Sequence, residues 1–383
     1  MKKLAYLFLA IAILGVSCKK DKDEDPVIQN LVINTDVVVP TTWKADKTII
    51  IDGHIYVNDD LTIEPGAVIK FKEGSSLNIG NSEYGSMLAE GTAEKPILFT
   101  SYSANPSPGD WKYIYFGENN SSSRSSLKYC TIQYGGDTDY GMLHFYNTQI
   151  KLENTIIKNS LKNGVYAESD AKFFSCINNT ISNCGMHAMD VDVNCVATIS
   201  ATNSFSVTGN YGIKVSNTEL KGTVTWNKLD VPYFINDGLW LDAETGTAEL
   251  TLAPGCVVKM GANQGIFVGN YHYAKLIANG TASEPITITS GAASPSAGDW
   301  SYVEFGTNNN AGSILNFCNI SYGGNNTDYG IINVNYTSDL TISNCNISYS
   351  EGHGIYLYDA SPVMSGNTFS NIAGEDVYTE PGK

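Results

Sequence analysis

Apolar and polar positions alternate in short runs along most of the chain, and the runs are punctuated by glycine. Gly164, Val165, Tyr166, Ala167 is one such run; Gly212, Ile213, Lys214, Val215 and Gly354, Ile355, Tyr356, Leu357 are others. A second alternating piece precedes each glycine: Leu152, Asn154, Ile157, then Ile177, Asn179, Ile181, and again Ile342, Cys345, Ile347. Alternation of period two over about four residues predicts half-buried strands. The glycines recur at coil-like spacing, with 23, 21 and 27 residues separating Gly141, Gly164, Gly185 and Gly212, and 24 between Gly330 and Gly354. Strands this short cannot each build a two-layer core, but stacked as successive coils they bury one apolar column per face. The pattern therefore predicts a parallel β-helix of 14 to 16 coils, a rod of roughly 70 Å at about 4.8 Å per coil. Two β-sandwiches are the competing architecture, but sandwich strands have no reason to repeat a glycine at that interval.

The chain is also written twice. Leu61, Thr62, Ile63, Glu64, Pro65, Gly66 returns as Leu250, Thr251, Leu252, Ala253, Pro254, Gly255. Gly109, Asp110, Trp111 returns as Gly298, Asp299, Trp300, Tyr134, Gly135, Gly136 as Tyr322, Gly323, Gly324, and Asp139, Tyr140, Gly141 as Asp328, Tyr329, Gly330. These are residues of turns and coil starts. We expect a first copy over 37–228 and a second over 229–383 that continues the same stack, because Asp237, Gly238 near the junction matches Asp52, Gly53.

These motifs, together with the Asn179 to Asn183 coil, look like those of secreted right-handed parallel β-helix repeat proteins of the pectin-lyase-like superfamily, and the resemblance covers roughly Trp43 to Val377. The fold class it implies is all-β: a right-handed, single-stranded parallel β-helix solenoid built from a tandem duplication. That scaffold carries lyases, hydrolases, adhesins and binding proteins alike, so fold alone does not assign function.

At the N-terminus, Lys2 and Lys3 precede an apolar run from Leu4 to Val16, the layout of an export signal over 1–17 and too short to span a bilayer. Leu14, Gly15, Val16, Ser17, Cys18 resembles the lipobox of bacterial lipoproteins, which implies lipidation at Cys18, although Leu14 stands one position further from the cysteine than the common form has it. The charged stretch Lys19 to Pro26 opens a flexible acidic tether assigned to 18–36. It is similar to export signals that send lipoproteins of Gram-negative bacteria to the outside of the outer membrane, the location expected here, with membrane contact through the lipid only.

Composition sharpens the picture. The 383 residues include 36 Gly, 23 Tyr and 37 Asn, and only 16% are charged, as many short strands joined by tight turns require. The formal net charge is -16, and with 1–17 removed 21 basic residues face 39 acidic ones, giving -18. Arg124 is the sole arginine. Nucleic acid is excluded as a partner for want of a basic surface, and an anionic uronan is disfavoured.

Cys130, Cys318 and Cys345 occupy the slot held elsewhere by Thr155, Asn179 and Asn367, which predicts an inward ladder of small side chains. Cys318 and Cys345 fall in neighbouring coils, as stacked thiols or as a disulfide. Enzymes on resembling scaffolds carry their groups on the outside of one sheet. Here that row holds Tyr166, His187 and Lys214, with Glu168, Asp190 and Asp192 nearby. His187, Lys214 and Asp190 are the candidate catalytic residues, for a lyase or hydrolase using proton abstraction or a carboxylate pair; the same alternation also describes a solvated strand face. Gly352, His353, Gly354 resembles a polygalacturonase motif, but its partner Asp-Asp is missing and His353 takes the place of Asn163 beside a coil glycine. No cofactor is implied except possible Ca²⁺, with Asp139 and Asp328 as candidate ligands; Asp110 and Asp299 share that reading, and for all four an Asp before Trp or Tyr-Gly in a turn more often caps its own backbone. Tyr166, Glu168, His187, Lys214, Tyr356 and Tyr358 are the candidate ligand-binding residues. The function expected is a surface lipoprotein that binds a neutral or weakly charged polysaccharide, or an outer-membrane or surface protein, without catalysis. The alternatives are a polysaccharide lyase or glycoside hydrolase, and a structural stalk, adhesin or accessory subunit of an outer-membrane complex.

Overall fold

A computed structural model describes residues 29–206, 212–216, 219–309 and 312–380. Cys18, the 1–17 segment and the Lys19 to Pro26 stretch lie outside the described residues. All named strand pairs are parallel, and the strands order into five sheets of 8, 13, 6, 7 and 6 strands. Three strands make one coil, each pairing with its counterpart one coil away: Ile55 aligns with Leu77, Leu77 with Ile114, and Ile114 with Leu143. Parallel strands joined by crossovers wind right-handed almost without exception. The result is a right-handed parallel β-helix.

The 13-stranded sheet, called the long sheet below, runs from His54–Val57 to Thr368–Ile372 and crosses from the first copy into the second where Ile213–Ser216 pairs with Tyr233–Ile235. Thirteen rungs at about 4.8 Å correspond to a rod of roughly 60 Å. That is shorter than the coil count from the sequence suggests, because turn insertions lengthen some coils: Leu77 to Ile114 spans 37 residues, whereas Ile55 to Leu77 spans 22. Gln29–Ile33, within the stretch assigned to the tether, forms the edge strand of the 8-stranded sheet against Lys47–Ile51.

The core is a set of stacked columns. Ile114, Leu143, Val165, Met189 and Ile213 follow one another inward on the long sheet, each fully buried. The repeated Gly-Asp-Trp and Tyr-Gly-Gly motifs meet in space. Gly109 and Asp110 donate their backbone N–H groups to the carbonyls of Gly135 and Tyr134, at 3.1 and 3.0 Å, and Gly298 and Asp299 do the same to Gly323 and Tyr322 at 3.2 and 3.0 Å. The Trp111 indole lies on Gly135 so closely that a Cβ there would stand 2.6 Å from Cε2. Asp110 caps its own loop, accepting from Ser101 Oγ at 2.6 Å and from the Ser107 N–H at 3.0 Å; Asp299 repeats both bonds.

The small-residue ladder runs as a chain of hydrogen bonds. The backbone N–H of Cys130 donates to Thr155 Oγ1, that of Thr155 to Asn179 Oδ1, and that of Asn179 to Asn203 Oδ1. In the second copy the N–H of Cys345 donates to Asn367 Oδ1 at 3.0 Å. Cys318 and Cys345 are buried free thiols rather than a disulfide, and burial pushes the Cys130 thiol up to about 12. Asparagines at corners such as Asn154 and Asn183 hold φ near 49° and 53°, which their side chains tolerate.

The two copies are joined out of phase by one face. Val68–Phe71 lies in the 8-stranded sheet, but its second-copy counterpart, Val257–Met260, lies in the long sheet. Ser76–Ile79 lies in the long sheet, and its counterpart, Ile266–Val268, lies in the 7-stranded one. The shift is made by ending one sheet and starting another. Asp230 covers the last strand of the 8-stranded sheet, Ser204–Ser206, accepting from the Phe205 N–H at 3.0 Å. Asn194 supports the first strand of the 7-stranded sheet, donating to Glu219 O at 3.2 Å and accepting from the Lys221 N–H at 3.0 Å.

Candidate functional site

Because side chains alternate along each strand, the parallel register of the long sheet lines up Tyr115, His144, Tyr166, Asp190 and Lys214 on its outside. The upper part of this row is aromatic. The His144 ring is nearly parallel to Tyr140, with centroids 4.9 Å apart, and stands 4.9 Å from Tyr115 and 5.2 Å from Tyr166. His144 Nε2 bonds Glu168 Oε1 at 2.9 Å, and the Tyr166 hydroxyl donates to Glu168 Oε2 at 3.1 Å. Burial pushes the Tyr166 hydroxyl up, reinforced by the charges of Glu168 and Asp190. Burial pulls His144 below the ordinary imidazole value of 6.5, against the opposing pull of Glu168.

A folded-state value below the unfolded one means that the unfolded chain takes up its proton first as the pH falls through 6.5. Stability should therefore rise with pH across that window and fall on acidification below it. His144→Asn, the residue found at the equivalent position Asn333, should flatten the slope; denaturant titrations at pH 5 and 7 with an unchanged slope would refute this role.

The lower part of the row is charged. Asp190, 4% exposed, accepts from Lys214 Nζ at 2.9 Å and from Ser216 Oγ at 2.6 Å. Tyr166, Glu168, Asp190, Asp192 and Ser216 line a cleft of about 290 Å³. The structure thus brings Tyr166, Glu168 and Asp190 together, and Lys214 reaches them through its ion pair. His187 holds no rung of the row, since the strand begins at Met189, but its ring flanks the row, 6.0 Å from Phe234, the residue that follows Lys214 in it, and its backbone N–H is donated to Asn163 Oδ1. Burial is also the main cause of its lowered pKa. With Lys214 and Asp190 paired to each other and Glu168 bonded to two ring partners, the row presents aromatic faces and satisfied charges. His353 acts as Asn163 does, Nδ1 accepting the Glu375 N–H at 2.9 Å.

Tyr356 and Tyr358 do not join this row. The one-face shift carries their strand, His353–Tyr358, into the 7-stranded sheet, so the residues grouped from the sequence as one ligand site lie on two sides of the rod. There Trp240, Phe267, Glu304, Asn333, Tyr356 and Tyr378 align. Trp240 and Phe267 stack at 4.0 Å, Tyr329 meets Tyr356 edge-on at 5.2 Å, and Tyr336 meets Tyr358 at 4.8 Å. A cleft of about 520 Å³ opens here, lined by Tyr271, Tyr329, Tyr336, Tyr356 and Tyr358 with Glu304 and Glu380. Tyr271 is 72% and Tyr336 55% exposed. Asn335 Nδ2 donates to Glu304 at 2.8 Å, and the Tyr356 hydroxyl bonds Glu380. Tyr271 and Tyr336 were not legible as site residues because they sit at turns, where no periodicity marks them.

Asp139 and Asp328 lie on exposed turns, Asp139 with a carboxylate oxygen 3.4 Å from Lys162 Nζ. Among the described residues, no group of three or more His, Cys, Asp or Glu stands close enough to hold a metal ion.

Residues 34–143 match the family model described as pectate-lyase like beta helix domain. No curated protein and no solved structure matches the chain.

Proposed function

We propose that this β-helix is a non-catalytic binder of neutral polysaccharide, exported and held by a lipid at Cys18 on the outer membrane of a Gram-negative bacterium. The observation that carries the reading is the 520 Å³ cleft, in which five tyrosines and two glutamates line the wall without a Lys or Arg. Tyrosine offers a flat apolar face for a sugar ring and a hydroxyl for its edge. Glu304 and Glu380 accept hydrogen bonds from sugar hydroxyls and repel a uronate.

Calorimetric titration of the protein with neutral hexasaccharides of glucose, xylose, mannose and N-acetylglucosamine tests this, with oligogalacturonate as the anionic control. Binding is expected to at least one neutral series and not to the control, and Tyr271→Ala with Tyr336→Ala should weaken it about tenfold. No binding to any of the four series would overturn the reading. A second reading, glycoside hydrolysis or elimination, draws on the carboxylates of Glu168, Asp190 and Asp192 around the smaller cleft. Release of reducing or unsaturated ends from the same sugars, lost on Asp190→Asn, would favour it.

A further inference from the structure

Resting on that reading, we propose that the chain carries a second wall for neutral sugar rings, around Tyr140, His144 and Tyr115 on the long sheet, and that it bridges two polysaccharide strands. The two walls are repeat equivalents. Tyr113, Tyr140 and Tyr166 of the first copy correspond to Tyr302, Tyr329 and Tyr356 of the second; the first three gather around His144 at centroid distances of 6.3, 4.9 and 5.2 Å, and in the second trio Tyr329 stands 6.3 Å from Tyr302 and 5.2 Å from Tyr356. The acid is kept while its place is exchanged. The position of Tyr115 holds Glu304 in the second copy, and that of Glu168 holds Tyr358, so each wall joins tyrosines to a carboxylate.

Had the copies been stacked in phase, these surfaces would form one continuous track. The face shift separates them. Beyond Lys214 the outer row of the long sheet continues as Phe234, Lys259, Thr289, Ser321, Ser348 and Ser370, with a single aromatic ring. The aromatic row reappears around a corner, on the 7-stranded sheet whose strand Leu239–Leu241 follows Tyr233–Ile235. Along the axis, Tyr166 and Tyr356 are seven rungs apart, about 34 Å at the spacing of parallel strands. A stiff polymer lying on one wall cannot turn the corner onto the other, so two occupied walls hold two strands, and simultaneous engagement raises avidity without new contacts.

The test uses the full chain with the neutral hexasaccharide that binds it and the corresponding soluble polymer. We expect two sites per chain by calorimetry, and a rise in polymer solution viscosity that the protein produces at substoichiometric amounts. Tyr140→Ala, at a ring 48% exposed on a turn, should weaken one site about tenfold, and Tyr271→Ala with Tyr336→Ala the other, each leaving a single site at the parent affinity; either change should sharply lower the viscosity rise. One site per chain, or a stoichiometry and viscosity unaffected by Tyr140→Ala in a protein with the parent's circular dichroism, would overturn the bridging proposal while leaving single-wall binding intact. Absence of all binding would instead bring down the reading on which it rests.

Discussion

Trp111→Ala is expected to lower the unfolding free energy by about 3 to 5 kcal/mol, the range for deleting a large aromatic side chain from a packed core. Trp111 is fully buried and stacks on Phe71 at 4.2 Å with the rings 12° apart. Its Nε1 donates to Gln133 O at 3.0 Å, so the alanine leaves both a cavity and a carbonyl without its donor. The backbone around it cannot collapse to fill the gap. Tyr134 is held at φ 67° and Gly136 at φ 87° by the bonds that dock this corner onto the Gly-Asp-Trp turn. Trp300→Ala should cost a similar amount, since Trp300 is equally buried and donates to Ser321 O at 2.9 Å. Urea unfolding is the measurement; a loss below about 1 kcal/mol for Trp111→Ala would show that the corner relaxes and is not a structural anchor.

Asn179→Leu should cost about 3 kcal/mol, although leucine is the more apolar residue and the site is 1% exposed. The asparagine amide serves three partners: Oδ1 accepts the Thr155 N–H at 2.9 Å, while Nδ2 donates to Leu152 O at 2.8 Å and to Asn203 Oδ1 at 2.9 Å. Leucine leaves two buried backbone groups unmatched, and each carries a desolvation penalty of about 1 to 3 kcal/mol. Asn179→Thr provides the contrast. Thr155 shows that a hydroxyl in this slot accepts the N–H of the coil before it and donates to a local carbonyl, Glu153 O at 3.0 Å, so the threonine variant should lose only about 1 kcal/mol. Equal stabilities for the leucine and threonine variants would remove the ladder from the account of how the coils register.

The winding of the chain was legible because each inward column repeats at a coil's length. Val165, Ile213 and Ile355 each follow a glycine, and no other stacking buries all three on one side of their strands. The small-residue slot was legible for the same reason: Thr155, Asn179 and Asn367 recur where a single backbone N–H needs an acceptor. What the pattern does not encode is azimuth. Tyr166 and Tyr356 are equivalent in sequence, and nothing local to either residue reports that the sheets change identity between them. Asn194 and Asp230 mark the change, each a single side chain hydrogen-bonded to backbone where one sheet starts and another ends. His187 illustrates the other limit. It precedes a strand-like run, but the strand begins at Met189, so the histidine holds no rung of the row and instead flanks it, its ring 6.0 Å from Phe234.

The junction also governs what further duplication would do to this molecule. A third copy fused through the same Asn194 and Asp230 arrangement would present its tyrosines from yet another side. Growth of the gene would then raise the number of separate hands the protein extends, like steps around a spiral stair, rather than the length of any one grip.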